Sequence, residues 1–372
     1  MTLKPLSGIR VLDFTALPPG GACTIMLADL GAEIIRIESP AQKGKPSLVI
    51  GQVALSRGKQ SLTLDQRHPG ANELLMRLVK HVDIIVENAK PGVMEARGFG
   101  YAQASAANPS LIWCAITGFG QTGPNADHAG HDISYVAHSG LLGALSAELP
   151  WQPAISLALQ AGALSAVIAI QSALIQRGKT GHGAFIDLSL SESAGWFLNC
   201  GINPLSDRPL ALPASPDRRL YACADNRFIV IACAEARTWG ALCDQLGLAE
   251  YKDQLHKWQD AKEMTRILSE IFASKPAADW VQQLAASGAA VTIVNHASQL
   301  LNDPQILARR SVVMASGVPV PANPVRIMAP GGEETGTTTQ APHQVGQDTA
   351  DVLRDAGFSN EEILGLEQGG VI

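Results

Sequence analysis

The chain has 372 residues, 46% of them hydrophobic and 17% charged, with a formal net charge of −6. That is apolar material for a large core and excludes a disordered chain, while the length exceeds a usual single domain, so two domains are expected. The mild negative balance gives no overall pull toward nucleic acid or an anionic membrane, so any phosphate site must come from a local basic cluster.

The first half alternates strand and helix signals. Residues 9–14 are a short apolar run, Pro18-Pro19-Gly20-Gly21 is a turn, and 22–30 reads as a helix stopped by Gly31. A β-branched run at 34–37 predicts a second strand. Further strands are expected at 61–64, 84–87 and 112–117, with helices at 70–80 and 91–97. That order implies parallel pairing with right-handed crossovers, an α/β doubly wound sheet. The stretch 157–175 is nearly apolar, but it carries Gln160, Ser165, Gln171 and Ser172 among many Ala and Gly, so it reads as a buried core helix and not as a membrane span. A polar turn at 177–183 then leads into a sixth strand at 185–190.

Composition changes at 203–216, where four prolines among polar residues predict an extended linker. Beyond it, 220–224 and 227–232 flank Asp225-Asn226 as a hairpin. Helical patterns follow at 237–246, 261–272 and 277–286, then a strand at 290–294, which together make a smaller α+β domain. The proline-rich stretch 318–324 returns the chain to the large domain, and 349–356 is a last helix ended by Gly357. The resulting division is a large domain at 1–200, a linker at 201–216, a small domain at 217–315, and a return segment with the rest of the large domain at 316–372.

Cys23, Cys114, Cys200, Cys223, Cys233 and Cys243 are scattered, with no C-x-x-C pair. Buried free thiols in a reducing cytoplasm fit this spacing better than disulfides or a zinc site. The first residues, Met1-Thr2-Leu3-Lys4-Pro5, form no apolar signal segment.

Several side chains suggest chemistry. The turn at 15–21 has the position of a dinucleotide loop but lacks G-x-G-x-x-G, so a nicotinamide enzyme is not expected, although its helix start could accept an anion. Basic residues recur about the strand ends: Arg36 on the second strand, Arg57 and Lys59 in Ser56-Arg57-Gly58-Lys59, and Lys90 before Pro91. Each alone is ordinary surface charge, but a group at the carboxyl edge of a parallel sheet suits the phosphates of a nucleotide. His131 closes a glycine-rich loop that begins at Gly118 and includes Gly120. It follows a run of strand–helix units, where open α/β sheets place their chemistry, and imidazole is the side chain suited to moving protons near neutrality. His128 and His138 lie nearby without carboxylate or cysteine at metal-ligand spacing, so no metal is expected. Asp132 could cap a helix. Glu235 ends an apolar strand ahead of a helix, as a site acid or as an acid favoured by the helix dipole.

The chain resembles the class III CoA-transferase (CaiB/BaiF) family along nearly its whole length. The resemblance is carried by Pro5-Leu6-Ser7-Gly8-Ile9-Arg10-Val11-Leu12-Asp13, by Leu27-Ala28-Asp29-Leu30-Gly31-Ala32-Glu33, by Arg57-Gly58-Lys59, and by Pro91-Gly92-Val93. Thr117-Gly118-Phe119-Gly120-Gln121-Thr122-Gly123-Pro124, Asp303-Pro304-Gln305 and Ala341-Pro342-His343 continue it. It implies interlocked homodimers, each chain with a Rossmann-like large domain that binds coenzyme A and a small domain that completes the partner's acyl cleft. Transferases of the family usually carry Gly-Tyr-Asp where this chain has Gly130-His131-Asp132, and use a later aspartate as nucleophile. The α-methylacyl-CoA racemases carry the histidine. The resemblance therefore implies an acyl-CoA substrate, with coenzyme A as part of that substrate and no tightly bound cofactor. It also implies catalytic roles for His131 and Glu235, and coenzyme A contacts from Arg36, Arg57, Lys59, Lys90, Gly118 and Gly120.

One position departs from the pattern. The family aspartate corresponds to Leu159 in Pro153-Ala154-Ile155-Ser156-Leu157-Ala158-Leu159, or to Gln160 in an alternative register. Neither side chain ionises, and a positioned base is worth about 10²–10⁴ in rate. Glu148 and Asp127 are weak replacements, and lysine at position 90 keeps a charge that is often arginine in relatives without its bidentate geometry. Four readings follow: an α-carbon racemase or epimerase, one-base enolate chemistry of the lyase or dehydratase type, a transferase with an unusual mechanism, and a non-catalytic coenzyme A binder.

Overall fold

Six parallel strands carry the larger part of the chain: β1 (Arg10–Asp13), β2 (Glu33–Glu38), β3 (Gln60–Thr63), β4 (Ile84–Glu87), β5 (Ile112–Thr117) and β6 (Ala184–Ser189). Their spatial order is β3-β2-β1-β4-β5-β6, the doubly wound order that reverses between β1 and β4. The computed structural model describes residues 2–15, 18–45, 50–145, 153–200 and 215–372. Almost all of the linker expected at 201–216, and Glu148, lie outside the described residues.

Two compact units are present, one of Met1–Gly201 with Gln305–Ile372 and one of Ile202–Pro304. The return to the large unit thus comes at Gln305, earlier than the boundary after 315 that the sequence suggests. Residues 312–321 account for the difference: Val312–Ala315 pairs antiparallel with Val318–Pro321, so the proline-rich stretch is half of a hairpin.

In the large unit, side-chain alternation along each strand feeds two separate cores. Leu12, Ile35, Ile85 and Trp113 point to one face, where Leu74, Leu75, Ala104 and Leu353 pack against them. Val11, Ile34, Ile84 and Ile112 point to the other, against α1 (Gly20–Asp29) and α5 (Leu157–Thr180). Between these two helices in sequence lie α2 (Ala71–Leu78), α3 (Tyr101–Ala107) and α4 (Asp132–His138). The Ala-rich stripe Ala158, Ala161, Ala166 and Ala173 of α5 is buried, and the helix stops at Gly181 in the left-handed region. Helix α5 is long and apolar enough to cross a membrane by length and composition, and less than half of its most apolar window, 44%, is buried. Leu164, Ile168 and Ile175 are exposed along its other side.

The smaller unit has the antiparallel sheet β7 (Arg218–Ala222), β8 (Phe228–Ala232) and β9 (Val291–Ile293), in the order β9-β8-β7. Its core joins Tyr221, Ile229 and Ile231 to Trp239, Leu268 and Trp280 from α6 (Ala236–Leu246), α7 (Ala261–Phe272) and α8 (Ala277–Ala285). Asn226 takes the positive φ of 58° in the β7–β8 turn, a conformation asparagine tolerates.

An ion pair crosses the interior of the large unit. Lys59 and Asp13 have side chains that are 0% exposed, with Nζ 3.2 Å from Oδ2. Lys59 also donates to Thr24 Oγ1 (2.6 Å) and to the Gly21 carbonyl (3.1 Å), while Asp13 accepts from Thr15 N (2.8 Å) and Thr24 Oγ1 (2.5 Å). Burial pushes the lysine down and Asp13 pulls it back up. Such a pair holds only if every charge stays matched. Lys59→Met is expected to cost about 3–5 kcal/mol, read as a lower urea midpoint with unchanged m-value.

Candidate functional site

A cavity of about 320 Å³ opens at the carboxyl ends of the strands, at the reversal of strand order. Pro18 and Pro19 after β1, the 88–91 segment after β4, and Thr117-Gly118 at the end of β5 form three of its walls. His128, His131, Asp132 and Tyr135 supply another, and Leu159 closes it from α5.

The His131 wall is held by short-range bonds. His131 is the N-cap of α4, with extended backbone (φ −127°, ψ 177°), and its carbonyl accepts from Ser134 N at 2.8 Å. Its side chain is exposed, and among the described residues no hydrogen bond engages the imidazole. Tyr135 locks the loop by donating from its hydroxyl to the Gly130 carbonyl (2.7 Å). Its ring lies so close to Gly118 that a Cβ there would stand 2.3 Å from Cε1. Gly120 adopts φ +90°, where side chains are strained, and Gln121 N beside it donates to Asp187 on β6. Of the two glycines singled out from sequence, Gly118 lines the cavity and Gly120 shapes the loop behind it.

Asp132 caps a helix other than its own. Its Oδ1 accepts from Leu159 N at 2.8 Å and its Oδ2 from Leu157 N at 3.0 Å, at the start of α5. The adjacent N-cap, Ser156, makes no side-chain cap bond, so Asp132 satisfies N–H groups that would otherwise be orphaned. This clasp sets the register: Leu159 faces the cavity, while Gln160 is exposed and does not line it.

Of the three neighbouring histidines, His128 and His131 line the cavity and His138 does not. His138 is braced by Ser191 Oγ at Nδ1 (2.8 Å) and by Asn125 Nδ2 at Nε2 (3.1 Å), with the Phe119 ring edge-on to it. Among the described residues, no three His, Cys, Asp or Glu side chains form a metal-holding group.

The basic residues divide in a way that the sequence does not reveal. Arg57 and Lys59 lead into β3 and are interior, not arrayed at an open strand edge. Arg57 donates to Asp29 Oδ2 (2.7 Å) and to the Thr338 carbonyl (3.0 Å), and Lys59 is held by Asp13. Arg36 is also buried, with Nη1 on Ser56 Oγ (3.1 Å) and Nη2 3.0 Å from Glu38 Oε2. The folded chain uses these guanidinium and ammonium groups to neutralise its own carboxylates. Lys90 is exposed and lines the cavity with His131. Two arginines that the sequence reading passed over, Arg67 and Arg97, are exposed beside a second cavity of about 420 Å³. That cavity lies just past the carboxyl ends of β2 and β3, at Ser39 and Leu64. The signal for Arg67 was its place directly after a strand, in Leu64-Asp65-Gln66-Arg67.

Glu235 belongs to the smaller unit, where it is the exposed N-cap of α6 and its Oε2 accepts from Thr238 Oγ1 at 3.0 Å. Within its own unit it stands at the N-cap position of α6 without a side-chain bond to the helix N–H groups.

Glu87 was not singled out from sequence. It ends β4 beneath the 88–91 wall, accepts from Ala89 N at Oε2 (2.6 Å), and is pushed up to about 7 by burial, against the pull of that bond and of Trp113. Its folded-state value stands above the ordinary 4.5, so the unfolded chain releases this proton first as pH rises. Stability from this group is therefore full below 4.5 and declines between 4.5 and about 7, by about 3 kcal/mol. Glu87→Gln should remove that decline, seen as urea stability that gains on wild type by this amount between pH 4.5 and pH 8. Asp132→Ala should cost about 1–2 kcal/mol in the same assay, the usual worth of a helix cap.

The sequence pattern of CoA-transferase family III matches residues 6–349. The chain is 30% identical over 386 residues to the alpha-methylacyl-CoA racemase of Homo sapiens, covering 99% of this chain and 97% of that protein. It is also 30% identical to the acetyl-CoA:oxalate CoA-transferase of Acetobacter aceti, covering 87% and 89%. The crystal structure of a CaiB/BaiF family protein from Brucella suis superposes with a TM-score of 0.81 at 27% identity, over 95% of this chain and all of that one. On the strength of this match along almost its full length, the chain belongs to CoA-transferase family III.

Proposed function

We propose that this protein acts on the α-carbon of an acyl-CoA thioester, with His131 as a proton carrier, most like a 2-methylacyl-CoA racemase or epimerase. The observation that carries this reading is the composition of the cavity wall. An imidazole free of protein hydrogen bonds among the described residues lines a cavity that Leu159 also lines, and the resemblance implies that the family aspartate would stand at that leucine. Transfer through a mixed anhydride needs an accessible carboxylate nucleophile. Among the described lining residues, Asp132 is the single carboxylate, and both its oxygens accept backbone N–H groups. Proton transfer needs only a base within reach of the α-carbon.

Coenzyme A enters as part of the substrate, and the reading requires no resident cofactor. Its phosphates suit the cavity flanked by Arg67 and Arg97, whose guanidinium groups can bind phosphate oxygens bidentately, with Lys90 nearer the thioester. Arg36, Arg57 and Lys59 are engaged by Glu38, Asp29 and Asp13 and do not line that cavity. A homodimer is part of the proposal. Leu164, Ile168 and Ile175 on α5, with Trp196 at 74% exposure, leave apolar area that a second copy would cover. The partner's small unit would then supply Glu235 to the His131 imidazole.

The reading is tested by α-proton exchange in deuterated water with a panel of 2-methylacyl-CoA esters. Wild type is expected to incorporate deuterium, and His131→Gln to lose about 10²–10⁴ of that rate on at least one epimer. Absence of exchange on every ester would overturn it. Hydroxylamine trapping of a covalent acyl-enzyme would favour the transferase reading.

A further inference from the structure

A racemase must take a proton from one face of the α-carbon and return one to the other, so on the reading above the cavity needs a second proton carrier besides His131. Among the described residues, the titratable side chains that line it are Lys90, His128, His131, Asp132 and Tyr135. Asp132 is fully engaged by the N–H groups of Leu157 and Leu159. Tyr135 commits its hydroxyl proton to the Gly130 carbonyl, and burial makes that proton harder to lose. Lys90 is a cation suited to the anionic parts of the substrate. His128 remains.

Its place is well supported. The His128 backbone N–H donates to the Asn125 carbonyl (2.9 Å), and the Asn125 amide is joined to His138, itself held by Ser191. The turn that carries His128 is thus tied to the segment after β6. Among the described residues, no hydrogen bond or ion pair engages the His128 imidazole. Two imidazoles three residues apart therefore reach one cavity, and each belongs to the side-chain class that both accepts and donates protons near neutrality.

We infer that His128 is the second proton carrier, in the role that a carboxylate at the Leu159 position would otherwise fill. One neutral imidazole takes the α-proton while the C–H electron pair moves into the thioester carbonyl to give an enolate. The other ring, as imidazolium, returns a proton to the opposite face as the enolate electrons move back. No net proton is gained or lost, and the two rings end with exchanged protonation states.

The test uses purified full-length protein with (2R)- and (2S)-2-methyldecanoyl-CoA in deuterated water, followed by mass and by epimer composition. His128→Gln is expected to exchange the α-proton of one epimer within about threefold of wild type, to lose about 100-fold or more on the other, and to lose epimer interconversion equally. His131→Gln should show the opposite epimer preference. His128→Asn, with a thermal unfolding curve, guards against a folding defect at this exposed position. Interconversion by His128→Gln at the wild-type rate, or equal loss on both epimers, overturns the proposal. Wild-type protein that exchanges neither epimer overturns the α-proton reading itself, and so distinguishes the two failures.

Discussion

One carboxylate organises the site. Asp132 reaches from the start of α4 to the first turn of α5 and takes two backbone N–H groups, from Leu157 and Leu159. Because a helix start carries orphan donors and a partial positive charge, a carboxylate placed there is held firmly. The bond couples the residue beside Asp132 to the residue it binds: His131 and Leu159 are brought to one cavity because Asp132 joins their elements. An acid at 159 would stand beside that same carboxylate, and leucine there leaves the wall apolar. The described wall of the cavity thus presents an imidazole, and its one carboxylate is taken up by backbone N–H groups.

Electrostatics in the large unit follow a related logic. Charges close to the sheet interior are matched within the chain: Lys59 with Asp13, Arg57 with Asp29, Arg36 with Glu38. A charge that far from water is tolerated only when paired, so these groups bind protein first. Of the cations that remain open, Arg67 and Lys90 sit on loops after strands and Arg97 ends the short helix Val93–Ala96. The division between interior and open cations is set by depth, and depth is a property of the fold.

Much of the architecture is legible along the chain. The strands at 84–87 and 112–117 and the helix at 261–272 coincide with the observed elements, because continuous β-branched runs and a sharp amphipathic stripe leave little choice of period. Helices α3 and α4 escaped notice. Tyr101–Ala107 buries little beyond Ala104, and Asp132–His138 is short and follows a glycine-rich loop, so neither shows a strong periodic face. The hairpin at 312–321 was hidden by its prolines, which an edge pairing tolerates. The loop of His131 was legible as one near the strand ends, where the cavity lies. The place of His128 at the same cavity was not, since a histidine on a polar turn looks like any solvated side chain until a cavity is seen beside it.

The residues alone determined the parallel α/β order, through alternating runs of period 2 and 3.6, and that neither Leu159 nor Gln160 can ionise. Only tertiary structure decided which cations are interior, which register of the 153–160 segment faces the cavity, and which acid caps which helix. Those outcomes depend on contacts between residues far apart in the chain, such as Lys59 with Asp13 and Arg57 with Thr338. Local pattern records the period of a segment, but the partner of a charge is chosen by whatever the fold brings within hydrogen-bonding distance.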